Sequence, residues 1–120
     1  MCKMVPLKDG RYVAESKLDY ILNICNQAKK CPSISKVVLF GSALEDRCTE
    51  KSDIDIAVFG DMSKGKYLQS KEFRDFRGRL FQYDLNQDYD ILYFDNAEKN
   101  EDMIMRDIRN GMEIYRRGSI

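Results

Sequence analysis

Val37-Val38-Leu39-Phe40-Gly41-Ser42, followed after ten intervening residues by Asp53-Ile54-Asp55-Ile56-Ala57-Val58-Phe59-Gly60, decides how this chain is read. Each part is an apolar run rich in β-branched residues and cut off by a glycine, the pattern of a short strand that ends in a turn. In the second run the strand period of two puts Asp53 and Asp55 on one face and Ile54 and Ile56 on the other, with the acids ~7 Å apart at Cα. Carboxylates held that close raise each other's pKa unless a cation neutralises them. Mg²⁺ suits the task, because this hard ion takes one or two carboxylates and completes its octahedron with phosphate oxygens and water. The plainer reading of the same alternation is a strand with one solvated face. Gly41 lets a ligand approach the backbone, and Ser42 adds N–H and hydroxyl donors for phosphate. Ser42-Ala43-Leu44-Glu45 also matches a capping box, which predicts a helix start there.

Outward from this pair, Leu18, Ile21, Leu22, Cys25 and Ala28 follow helical spacing and predict an amphipathic helix over about residues 15–30, stopped by Cys31-Pro32-Ser33. Phe73, Phe76, Leu80 and Tyr83 predict a second helix after a loop around Lys64-Gly65-Lys66, and Tyr89-Asp90-Ile91-Leu92-Tyr93-Phe94 reads as a third strand. A last helix carrying Ile104 and Ile108, capped by Asn96 or Asn100, is expected to end in a left-handed cap at Asn110-Gly111 before an edge strand over Met112 to Tyr115. Lys64, Lys66, Lys71, Arg74, Arg77 and Arg79 read as a solvated helix face, with Phe73 and Phe76 as core.

With 120 residues and no repeat or linker, the chain reads as one domain over 1–120. Its 20 basic and 20 acidic residues cancel, so a global field that would hold a nucleic acid or an anionic membrane is absent and phosphate binding must be local. Apolar runs of four residues are far short of a membrane span, and the polar start of the chain gives no signal-peptide core, so a cytoplasmic protein is expected. There is no histidine, which removes Ser-His-Asp and Cys-His hydrolysis and imidazole-based zinc sites. Cys2, Cys25, Cys31 and Cys48 show no C-x-x-C spacing and are expected to be reduced thiols. Chemistry is left to carboxylates, lysines, arginines, hydroxyls or a metal.

Gly41-Ser42, ten residues, then Asp53-Ile54-Asp55, placed directly after an apolar strand, resembles the signature of the nucleotidyltransferases of the DNA polymerase beta superfamily, and most of all their minimal members. Such proteins carry a third acid on a later strand, a position that Asp90 fills. The resemblance spans about Leu18 to Tyr115 in element order, but its specific residues are Gly41, Ser42, Asp53, Asp55 and Asp90. It implies an α+β fold, a small mixed β-sheet backed by helices. It also implies Mg²⁺-dependent transfer of a nucleoside monophosphate, AMP from ATP, to an acceptor hydroxyl. Asp53 and Asp55 would bridge two ions, Asp90 would hold the catalytic ion and act as base, and Gly41 and Ser42 would grip the triphosphate.

The loop after Ser42 departs from the family. Where members often place an arginine and a further glycine, this chain has Ala43-Leu44-Glu45-Asp46-Arg47, so that Arg47 or Lys51 either supplies the positive charge from the same loop or, the plainer reading, forms exposed salt bridges. Larger relatives carry an added acceptor domain, so the acceptor is expected on another molecule. In the family that partner is often a helical HEPN-type toxin, the minimal protein being its antitoxin; a homodimer acting on a small molecule is the other enzyme reading. An inactive nucleotidyltransferase-like module that only binds a partner is the non-enzyme alternative.

Overall fold

The computed structural model describes residues 2–99 and 103–118. In chain order its elements are β1 (Met4–Lys8), β2 (Arg11–Ala14), α1 (Leu18–Ala28), β3 (Ile34–Phe40), β4 (Ile54–Gly60), α2 (Lys64–Leu68), α3 (Lys71–Tyr83), β5 (Tyr89–Asp95), α4 (Met103–Arg109) and β6 (Met112–Arg116). β3 pairs antiparallel with β4 and β6, and β5 pairs parallel with β4, which gives a four-stranded sheet in the order β5-β4-β3-β6. The parallel step needs a crossover, which α2 and α3 supply. This is the α+β architecture of a small mixed sheet backed by helices that the resemblance implied.

Strand alternation gives the sheet two unlike faces. Val37, Leu39, Ile54, Ile56 and Val58 are fully buried on one face and meet Ile21 and Ile24 of α1 and Phe76 and Leu80 of α3. Each such side chain contributes about 1.5–3 kcal/mol of transfer free energy. The opposite face carries a smaller cluster in which Val38, Phe40 and Ala57 pack with Ile108 of α4, bordered by half-buried Phe59, Leu92 and Phe94. Asp55 and Asp90 share this second face, at the end where the strands begin. No described helix is long and apolar enough to cross a membrane.

Several local expectations are corrected. The first helix is shorter than 15–30: Glu15–Lys17 form a 3-10 turn before α1, and Leu22 is 45% exposed because the buried stripe runs through Ile21 and Ile24 instead. The stretch Lys64-Gly65-Lys66 is helical rather than a loop, since Tyr67 is fully buried and its ring stacks on Tyr93 at 4.4 Å, drawing the chain into α2. Tyr83 at the end of α3 is half exposed, edge-on to Tyr20. Asn96 caps no helix; its amide donates to Ser35 Oγ and Asp61 Oδ1, and Asn100 lies outside the described residues.

Gly111 has no positive φ, so it is not a left-handed cap. It is needed because a Cβ there would come within 2.5 Å of the Leu39 carbonyl and 2.8 Å of Val38. The capping-box reading also fails. Gly41–Leu44 make one 3-10 turn, Glu45 is extended, and no side chain caps the turn.

β1 and β2 form a separate hairpin joined by Asp9-Gly10, both at positive φ. Asp-Gly between two short runs is a strong two-residue hairpin signal, here weakened by Pro6 in the first strand.

Candidate active site

The site begins with one rung of the sheet. Phe40 on β3 faces Asp55 on β4, and Asp55 faces Asp90 on β5. Parallel register points the side chains of Asp55 and Asp90 to the same side, on strands about 4.8 Å apart. Asp53 lies one residue ahead of β4, and its charge still acts on Asp55. Burial, then the negative charges of Asp90 and Asp53, push the Asp55 carboxyl from its ordinary 3.8 up to about 6. Among the described residues no hydrogen bond or ion pair reaches the side chains of these three acids. Asp55 and Asp90 therefore hold negative charge with no hydrogen-bonded or ion-paired cation on their carboxylates.

Gly41 sits directly against this charge. Its φ is +78°, and a Cβ added to it would overlap Asp55 Oδ2. Ser42 Oγ donates a long hydrogen bond, 3.4 Å, to the Asp53 carbonyl, which ties the turn to the acidic strand. The pairing of a Gly-Ser turn with an alternating acidic strand, expected from the sequence, is thus a real spatial neighbourhood.

An open cleft of about 530 Å³ lies on the Gly41 side of Asp55, lined by Arg11, Phe40, Gly41, Leu44, Glu45, Arg47, Asp55, Asp107 and Asn110. Of the expected site residues, Gly41 and Asp55 face it; Ser42, Asp53 and Asp90 do not line it. Arg47 is present but ion-paired to Glu45, and Lys51 is not part of the wall.

The cation missed at the sequence level is Arg11. It reaches the cleft from the N-terminal hairpin, and its guanidinium donates to the carbonyls of Gly111 (2.6 Å) and Asn110 (2.9 Å). Those two bonds leave other guanidinium N–H groups available. The Asp-Gly hairpin signal was legible, but nothing local indicated that its second strand would lie beside Gly41.

Among the described residues no group of three or more acids or cysteines is drawn together tightly enough to ligate a metal unaided. Mg²⁺ does not require such a cage, since one or two carboxylates suffice where substrate phosphates and water complete the shell. Asp55 and Asp90, hard oxygen donors in register with uncompensated charge, fit that half-site.

The family model described as Polymerase beta, Nucleotidyltransferase matches residues 22–119. Among solved structures, a Sulfolobus solfataricus protein assigned as a nucleotidyltransferase is similar with 20% identity and a TM-score of 0.43, over 87% of this chain and 90% of that one. No curated protein matches the chain.

Proposed function

The chain belongs to the polymerase beta nucleotidyltransferase family, and on that premise we propose that it transfers AMP from ATP to an acceptor hydroxyl. The observation that carries this reading is the Asp55–Asp90 rung, uncompensated and pressed against Gly41 beside an open cleft. The triphosphate lies on the Gly41 side, where Arg11 meets its negative charge, while Ser42, outside the cleft wall, ties the turn to the acidic strand. Asp53, Asp55 and Asp90 would hold two Mg²⁺ ions. Bound there, Mg²⁺ would neutralise the acids, lower the pKa of the acceptor hydroxyl and stabilise the departing pyrophosphate.

Asp90, exposed at the sheet edge, accepts the proton of the acceptor hydroxyl. The hydroxyl oxygen bonds to the α-phosphorus, the bond from that phosphorus to the β-phosphate bridging oxygen breaks, and pyrophosphate leaves with the electron pair. The acceptor is a protein. Half-buried Phe59, Leu92 and Phe94 lie on the same face as the acids, farther along the strands, and offer apolar surface for a partner. A helical HEPN-type toxin is the partner proposed, with this chain as its antitoxin.

One observation favours a second reading, an inactive module that works by binding alone: Arg47, the first cation after the Gly-Ser turn in sequence, is engaged by Glu45. The test uses ATP labelled at the α or γ position, Mg²⁺ and a HEPN-type partner protein. Label in the partner from α-labelled ATP only, absent with Asp55→Asn, supports nucleotidyl transfer. Label from the γ position makes the protein kinase-like. No label, with undiminished partner binding by an Asp53→Ala, Asp55→Ala double variant, replaces the enzyme with the binding module.

A further inference from the structure

Lys17 is a charged residue that the reaction does not use, yet it is only 1% exposed. A buried ammonium is costly unless its protons are placed, and all three are. Lys17 Nζ donates to the carbonyls of Ser52 (2.7 Å) and Glu50 (3.1 Å) and to Gln87 Oε1 (2.6 Å). Gln87, itself 3% exposed, turns its amide to donate to the carbonyls of Ser52 (3.1 Å) and Asp88 (2.7 Å). The Asp88 carbonyl also accepts from Ile54 N at 3.1 Å, the first bond between β4 and β5.

All but the Glu50 carbonyl of the acceptors in this network therefore stand at the entry of an acid-bearing strand. Ser52 precedes Asp53, and Asp88 is two residues ahead of Asp90. Burial lowers the Lys17 pKa, while neighbouring negative charges, Asp53 among them, oppose that shift. Lys17 lies outside the segment that the family model matches, 22–119, so this staple is read from the chain's own geometry.

We propose that Lys17 is a positioning residue for the acid site, stapling the loop ahead of Asp53 to the entry of β5 and so setting how the carboxylates of Asp53, Asp55 and Asp90 face a divalent cation. The proposal rests on the reading of those acids as the cation-holding set. It differs from a simple charge effect in sign. Removing a nearby positive charge would by itself tighten cation binding, whereas loss of the staple loosens it.

Mn²⁺, titrated into the full chain in the presence of the uncleavable ATP analogue α,β-methylene-ATP, whose phosphates complete the half-site, and followed by electron paramagnetic resonance, separates these cases. Lys17→Met is expected to weaken Mn²⁺ binding about tenfold or more, the scale seen when supports behind metal ligands are removed. Lys17→Arg, which keeps charge and donors, is expected to recover most of the loss. Gln87→Leu, which cuts the link to Asp88 but leaves the ammonium two carbonyl acceptors, is expected to weaken binding too and carries the test should Lys17→Met not fold. Unchanged or tighter Mn²⁺ binding in either folded variant overturns the proposal. If the wild type binds no Mn²⁺, or Asp55→Asn binds it equally well, the cation reading fails and this proposal falls with it. If the wild type binds Mn²⁺ through Asp55 while Lys17→Met binds as tightly, the proposal alone fails.

Discussion

Gly41 and Asp55 leave no room for a side chain between them: a Cβ on Gly41 would stand 3.1 Å from Asp55 Cγ and overlap its Oδ2, on a backbone whose φ of +78° already disfavours any side chain. The tight turn and the acid are one unit. Gly41→Ala is therefore expected to cost about 1–2 kcal/mol from backbone conformation alone, with an added penalty from the overlap. In an Asp55→Ala background the added part should vanish, because only the ordinary 3.4 Å contact with the Cβ at position 55 remains. Urea denaturation of the two single variants and the double one measures this; strictly additive losses would refute it.

Asp55 links stability to pH in the direction opposite to a salt-bridged acid. Its folded pKa, raised to about 6 from 3.8, means that the folded chain holds the proton more tightly than the unfolded one. Metal-free stability therefore falls as pH rises between those values and levels off above them. Asp55→Asn carries no such penalty. At pH 7.5 the variant should melt higher than the metal-free wild type, with the gap closing toward pH 4, while nucleotidyl transfer is abolished. Thermal melts across that range check the sign, and a variant that is less stable at pH 7.5 would contradict it.

Arg11 separates nucleotide binding from chemistry. Arg11→Ala should raise the KM for ATP by roughly an order of magnitude, in line with the loss of one charge-assisted hydrogen bond, and change kcat much less. Arg11→Lys should recover only part of the loss, because a point charge cannot bridge two carbonyls and still present donors to phosphate in the same plane. Steady-state kinetics with ATP as the varied substrate decide it.

Gly111 tests contact against conformation. A left-handed cap would tolerate asparagine there, but the close approach to Leu39 and Val38 admits no side chain. Gly111→Asn and Gly111→Ala should destabilise alike, by about 1–3 kcal/mol as overpacking does. Calorimetry on both variants checks this; a nearly neutral asparagine would restore the cap.

What the sequence made legible was whatever a single strand carries by itself. Asp55 opposite Ile54 and Ile56 follows from a period of two, and the apolar runs ending at Gly41 and Gly60 needed no partner to be seen as strands. Asp90 was singled out only through resemblance, because its role depends on the register with Asp55, a long-range pairing that no local pattern encodes. α2 was hidden for the same reason. Gly65 and the flanking lysines argue for a loop, and only the burial of Tyr67 against Tyr93 outweighs that preference. Arg11 and Lys17 stayed invisible as site residues because each acts on parts of the chain far from it in sequence.

The clasp that Arg11 makes with Asn110 and Gly111 joins residues 99 and 100 positions apart. A contact of that span closes most of the described chain into a ring, so the cleft wall that Arg11 shares with Asn110 carries a loop-closure entropy that a wall built from sequence neighbours would not.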